Sequence, residues 1–121
     1  MILDINDLKQ INDTQGHQTG DQYIQGACRI ICDIFRDSRV FRIGGDEFSV
    51  LVQGDDYAHI DERLFEIAKH NREAVLTNGI VIACGMAKFD NDSCMRPVLV
   101  RADRAMYENK TALKAMQKQN L

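Results

Sequence analysis

The chain has 121 residues and is short of most features that mark specialised classes. No uninterrupted apolar run approaches the roughly 20 residues of a membrane-spanning helix. The N-terminus, Met1-Ile2-Leu3-Asp4, meets an acid too early for a secretory signal. Four cysteines are present, but none forms a Cys-x-x-Cys pair and zinc-ligand spacing is absent. Reduced core thiols in a cytosolic protein are the expected reading of Cys28, Cys32, Cys84 and Cys94. Basic residues are not in excess: net charge is −3 and the pI about 5.5. No basic stripe is visible, which argues against non-specific binding to DNA or RNA. There is no internal repeat, low-complexity tract or linker, and one proline, Pro97.

The remainder is ordinary for one globular domain: 45% hydrophobic and 27% charged residues. Met1 to Ile5 reads as a strand, and Asn6 to Gly20 as a polar stretch with a short helical turn at Leu8 to Asn12. Asp21 then opens a helix whose apolar positions Ile24, Cys28, Ile31 and Phe35 recur with helical spacing. Val40 to Val52 reads as a hairpin, and Tyr57 to Val75 as a helix with Ile60, Leu64, Ile67, Ala68 and Val75 inward. Asn78-Gly79 is a turn. Ile80 to Met86 is apolar on both faces and is expected to be a central strand. Pro97 suits the first turn of a last helix carrying Val98, Leu99, Ala102, Met106 and Leu113. The order β-α-β-β-α-β-α predicts an α+β fold: a ferredoxin-like core with an extra C-terminal helix, its helices packed on an antiparallel or mixed sheet.

That layout makes the first strand and the hairpin neighbours. The hairpin carries Arg42-Ile43-Gly44-Gly45-Asp46-Glu47-Phe48. Glycines between strands are a turn signal, because glycine reaches positive φ cheaply. The adjacent acids fit a solvated hairpin tip, or a site where a cation lies between them. Asp4, at the end of the first strand, would join Asp46 and Glu47 at one edge, a donor set suited to magnesium with phosphate and water. In Asn12-Asp13-Thr14-Gln15-Gly16-His17-Gln18-Thr19-Gly20-Asp21, Asn12 offers a donor and an acceptor, and the Asp21 carboxylate matches the two donors of a guanine edge. Asp21 also suits a helix cap. His17 reads as a structural loop residue. Lys9, Lys110 and Lys114 are cation candidates for phosphate, although lysines on helices are usually just solvated.

Taken together, Leu3-Asp4-Ile5-Asn6, Lys9-Gln10-Ile11-Asn12-Asp13, Gly16-His17, Gly20-Asp21, the Gly-Gly-Asp-Glu-Phe turn, and Ala105-Met106-Tyr107 with Lys110 resemble the GGDEF family of diguanylate cyclases. The resemblance runs from Leu3 to about Lys114 and implies condensation of two GTP molecules into cyclic di-GMP, a bacterial second messenger. Two facing domains of a homodimer would each hold one GTP. It implies a Mg2+ (or Mn2+) site at Asp4, the Ile5 carbonyl, Asp46 and Glu47. Glu47 would also assist activation of the ribose 3′-hydroxyl, and Gly44 and Gly45 would let the backbone pass close to the phosphates. Substrate binding falls to Asn12 and Asp21 for guanine, to Lys9, Lys110 and Lys114 for phosphate, and to Ile24. A cytoplasmic bacterial domain is implied, attached to a sensory or effector partner or membrane-anchored protein, without membrane contact of its own.

Departures from the family pattern set further expectations. Asn6 stands where a second aspartate is common, Lys114 where an arginine is common, and Cys84 where a serine is usual. The chain begins inside the first strand, so it reads as one GGDEF domain, 1–121, truncated at the N-terminus. Without the family's preceding helix and Asp-x-Leu-Thr segment, exposed apolar surface and association or low stability are expected. An inhibitory product site, Arg-x-x-Asp before the Gly-Gly turn, is replaced by Phe35 and Ser38. The competing function is a non-catalytic GTP-binding or dimerising module that regulates an attached domain.

Overall fold

A computed structural model describes residues 1–119. The elements are β1 (Ile2–Ile5), α1 (Leu8–Gln15), α2 (His17–Ile34), β2 (Arg39–Arg42), β3 (Glu47–Leu51), α3 (Gly54–Ala58), α4 (Ile60–Thr77), β4 (Ile82–Gly85) and α5 (Arg96–Gln119). The sheet order is β2-β3-β1-β4, and every pairing is antiparallel. This is the split βαβ layout expected from the element order. Alternation along the strands sends Leu3, Ile5, Phe48, Val50 and Ile82 to a core shared with Ala27 and Ile31 of α2 and Ile60 and Ile67 of α4. The opposite face puts Ile2 and Ala83 against Ala102, Met106 and Leu113 of α5. No described helix is long and apolar enough to cross a membrane.

Several local expectations are corrected. The turn at Leu8 to Asn12 is a full helix, α1, reaching Gln15. Helix α2 begins at His17 rather than at Asp21, because Gly16, at φ 88, turns the chain directly from α1 into α2. Asp21 therefore lies inside the helix and is not its cap. The helix expected at Tyr57 to Val75 is split at His59 into α3 and α4, and Ala68 on α4 is exposed. The turn after α4 is as expected: Asn78 closes it in the left-handed region at φ 57, and Gly79 N–H donates to the Ala74 carbonyl.

Strand β4 is at the sheet edge, not its centre. It is apolar on both faces because helices cover both, and its outer edge is not left open. Asn71 Nδ2 donates to the Ile82 carbonyl (2.7 Å) and Asn71 Oδ1 accepts from Ile82 N–H (2.9 Å). Asn109 Oδ1 accepts from Cys84 N–H (3.0 Å), and the His70 ring pairs with the Ile80 carbonyl (2.7 Å). Side chains of α4 and α5 thus replace the missing neighbour strand and block edge pairing. The cysteines are free thiols, as expected, but only Cys28 and Cys84 are half-buried. Cys32 and Cys94 are exposed. Burial pushes the Cys84 thiol up to about 11.

A buried carboxylate ties the start of β2 to α3 and α4. Asp56 is fully buried. It accepts from Asp37 N–H (2.9 Å), Ser38 Oγ (2.7 Å) and Arg63 Nε (3.0 Å). Burial works to raise its pKa, and those donors outweigh it, so the carboxyl titrates below the usual 3.8. Its stabilisation is present above 3.8 and is lost as pH falls through the lower folded value. Asp56→Ala should cost about 2 to 3 kcal/mol in urea unfolding at pH 7, because buried donors lose their acceptor. The deficit should shrink as both proteins are acidified below about pH 4.

Helix α5 covers only the β4 and β1 half of its face. Over β2 and β3, Phe41, Leu51, Tyr57, Phe89 and Leu99 line an apolar cavity of about 500 Å³. Leu99, expected inward, is 42% exposed there.

Candidate active site

The site forms where β1 and the β2–β3 turn lie side by side. Asp4 of β1 is the register partner of Glu47, the first residue of β3. Ile5 N–H donates to the Asp46 carbonyl (2.9 Å), fixing the turn to the end of β1. The turn is braced from within by Arg42, whose Nε donates to the Gly44 carbonyl (3.2 Å) and whose Nη2 donates to the Gly45 carbonyl (3.0 Å). Ile43 N–H closes the hairpin on the Glu47 carbonyl (3.0 Å). Nothing in the local pattern marks Arg42 for this; its position beside two loop carbonyls is visible only in three dimensions.

The glycines do not serve the role first expected of them. Neither Gly44 nor Gly45 has positive φ. A Cβ on Gly45 would meet nothing within 4 Å, and one on Gly44 would only touch Glu47 at 3.7 Å. The turn itself does not demand glycine. What the two residues leave is an open backbone surface beside the acids.

Asp4 is 4% exposed. Its Oδ2 lies 3.1 Å from Lys110 Nζ, and its Oδ1 is buried without a partner. Burial is the main force raising its pKa to about 6; Lys110 opposes this, and Asp46 and Glu47 add to it. The Glu47 carboxyl is also raised, by burial first, then by Asp103 and Asp46. Burial disfavours the Lys110 ammonium, but Asp4, Asp46 and Glu47 outweigh it and keep the lysine charged. Asp103 is not among the acids expected at the site. Its signal was present: it precedes Lys110 by seven residues and so shares that face of α5.

Among the described residues, no three His, Cys, Asp or Glu side chains are gathered so as to hold a metal ion as they stand. The donor chemistry nevertheless fits a hard divalent cation: carboxylates from β1 and the turn, and one buried carboxylate oxygen with no partner.

The second constellation lies at the α1–α2 junction. Gly20 packs so closely on Asn12 that a Cβ there would collide with Asn12 Oδ1. This sets Asn12, half-buried, beside the residue preceding Asp21, which is exposed. Ile24 packs against the core. Lys9 is exposed in the first turn of α1, and Lys114 is exposed one turn beyond Lys110. The cavity containing Lys114, of about 640 Å³, also includes Asp7, Gln10 and Gln117.

Residues 1–116 match the family described as "Diguanylate cyclase, GGDEF domain". The chain belongs to the GGDEF family. The GGDEF domain of DgcB from Caulobacter crescentus, solved in complex with c-di-GMP, superposes with a TM-score of 0.72 at 28% identity, covering 92% of this chain and 70% of that one. Diguanylate cyclase DgcS of Shewanella oneidensis is 30% identical, over 93% of this chain and 38% of that protein. Cyclic di-GMP phosphodiesterase NbdA of Pseudomonas aeruginosa is 36% identical, over 91% of this chain and 15% of that protein. This GGDEF chain spans well under half the length of these curated relatives.

Proposed function

We propose that this GGDEF domain is a diguanylate cyclase, condensing two GTP into cyclic di-GMP with release of two pyrophosphates. The observation that carries this reading is the pairing of Asp4 with Glu47 across β1 and β3, which brings the retained turn to a buried carboxylate. In this reading Asp4, Asp46, Glu47 and the Ile5 carbonyl hold Mg2+ or Mn2+. The ion would lower the barrier by drawing charge from the attacking 3′-oxygen and the phosphoryl group. Glu47 assists removal of the 3′-hydroxyl proton. The 3′-oxygen of one GTP bonds to the α-phosphorus of the other, the bond to pyrophosphate breaks, and the step is repeated reciprocally. Each domain of a two-fold homodimer contributes one GTP. Asn12 and Asp21 read guanine, with Ile24 lining the helix beside them. Lys9, Lys110 and Lys114 neutralise phosphate, and the open backbone at Gly44 and Gly45 admits it. The domain acts in the bacterial cytoplasm, joined to a sensory or effector region.

A regulatory, non-catalytic module is the second reading. Its support is Asn6 and Lys114 in place of the family's common residues, and the Asp4–Lys110 ion pair is compatible with it. Incubation with GTP and Mg2+ followed by chromatography separates the two. Cyclic di-GMP that disappears in Glu47→Ala supports the cyclase, and GTP binding without product supports the module. ATP in place of GTP should give no product, because Asp21 mismatches adenine.

Product feedback through the Arg-x-x-Asp position is expected to be absent. Phe35 is 1% exposed in the core, and Ser38 Oγ is committed to Asp56. Titration with cyclic di-GMP should leave the initial rate unchanged. Micromolar inhibition that Arg39→Ala removes would contradict this.

A further inference from the structure

Lys110 stands where a cation belongs. Its ammonium is 3.1 Å from Asp4 Oδ2, and the two side chains are 24% and 6% exposed. Asp46 and Glu47 attract it as well. The contact is built rather than incidental, because Lys110 is carried by a helix seated tightly on the sheet. Gly85 of β4 lies so close to α5 that a Cβ there would collide with Met106 N and the Ala102 carbonyl. Lys110 follows Met106 by one turn, so its reach to Asp4 is fixed by that seat.

The acids carry three formal negative charges, and Lys110 balances one of them. A divalent ion approaching Asp4 meets an ammonium already bonded to the same carboxylate. The ammonium must withdraw or the two cations repel at short range. A triphosphate changes this. It offers Lys110 several oxygens within the sweep of a flexible four-carbon stem and brings negative charge that the divalent ion can share. Asp4 then has both oxygens available, including the one now buried without a partner.

We propose that Lys110 is a placeholder cation: it neutralises Asp4 in the empty site, excludes a lone divalent ion, and transfers to the triphosphate so that metal and nucleotide enter together. This rests on the reading of the acids as the metal site and adds an order to its filling. The consequence is reciprocal, since any factor by which nucleotide tightens metal is the factor by which metal tightens nucleotide.

The test is Mn2+ binding by electron paramagnetic resonance, with and without guanosine α,β-methylene triphosphate, on the intact chain. Wild type should bind Mn2+ weakly alone and much more tightly with the analogue. Lys110→Met should bind Mn2+ alone about ten-fold more tightly than wild type, and the analogue should then improve it by a smaller factor. Lys118→Met, which removes the same charge two turns away on α5, should leave Mn2+ binding alone within about two-fold of wild type. Lys110→Gln repeats the measurement if the methionine variant does not fold, circular dichroism serving as the check. Unchanged or weaker Mn2+ binding in the Lys110 variants, with the wild-type ternary complex intact, overturns the placeholder and leaves the metal reading standing. Absence of Mn2+ binding in wild type even with the analogue overturns both.

Discussion

Asp4→Asn should abolish cyclic di-GMP formation and, at the same time, make the metal-free chain more stable. The two effects share one cause. Asp4 is buried between carboxylates, and its pKa rises from 3.8 to about 6. A carboxyl whose folded value is raised contributes stability that is fully present below its unfolded value of 3.8 and is lost as pH rises through 6. At pH 7.5 the folded chain therefore carries the whole penalty of a charged Asp4. Asparagine has nearly the same shape and no charge, so it removes a penalty of at most about 3 kcal/mol. The attraction of Lys110 is already counted in that figure, and Lys110 is exposed enough to reach water once released. Thermal unfolding in the presence of a chelator should show a higher Tm for the variant at pH 7.5 and convergence with wild type near pH 4. Turnover should fall by about a thousand-fold or more if Asp4 holds the metal as proposed, because losing that carboxylate removes several kcal/mol of transition-state stabilisation. A variant that is both less stable and inactive would mean that Asp4 is chiefly one half of a structural ion pair.

Gly85→Ala should be the most damaging single methyl group in the chain. The added carbon would strike Met106 N and the Ala102 carbonyl of α5. These are helix backbone atoms, and no rotamer change removes them. Either α5 lifts from β4 or β4 loses its place, and Asn109, which caps Cys84 N–H, is drawn away with the helix. Overpacking against side chains costs about 1 to 3 kcal/mol, and a collision with backbone should reach or exceed the upper end. Urea unfolding measures this. The displacement also moves Lys110 away from Asp4, so residual folded protein should lose activity beyond its loss of population. Gly45→Ala is the contrasting case. Its Cβ meets nothing within 4 Å and its φ is not positive, so stability should stay within about 0.5 kcal/mol. On the proposed function GTP affinity should nevertheless fall, because there the methyl group would stand where phosphate approaches the turn. Equal stability losses in the two variants would assign Gly45 a purely structural role.

These two glycines mark how far the sequence could be read. The Gly-Gly turn was located correctly from its flanking apolar runs, yet the reason offered, positive φ, belongs instead to Gly16 and Gly54. Gly85 drew no expectation, because close approach of a distant helix leaves no trace in local pattern. Strand β4 shows the same limit. An all-apolar run says that both faces are covered and is silent on which neighbour lies at each edge. Here Asn71 and Asn109, from helices on either side in sequence, stand in for a strand. Helix α2 began four residues early because the positive-φ glycine before it overrode the capping preference of Asp21.

The sequence by itself determined most element types and which faces they bury, since alternation and helical spacing record burial, but it misplaced β4, which lies at the sheet edge. It also determined the pairing of Asp4 with the Gly-Gly-Asp-Glu-Phe turn, because a split βαβ order admits few sheets. Only the tertiary structure decided that Lys110 rests on Asp4, that Asp103 acts on Glu47, that Arg42 braces the turn, and that the acid at position 4 titrates near 6. The contacts of Lys110 and Asp103 depend on how far α5 stands from β1 and β3. That separation is set by the packing of Gly85 against a helix backbone, a contact between residues 17 to 21 positions apart that carries no periodic signal.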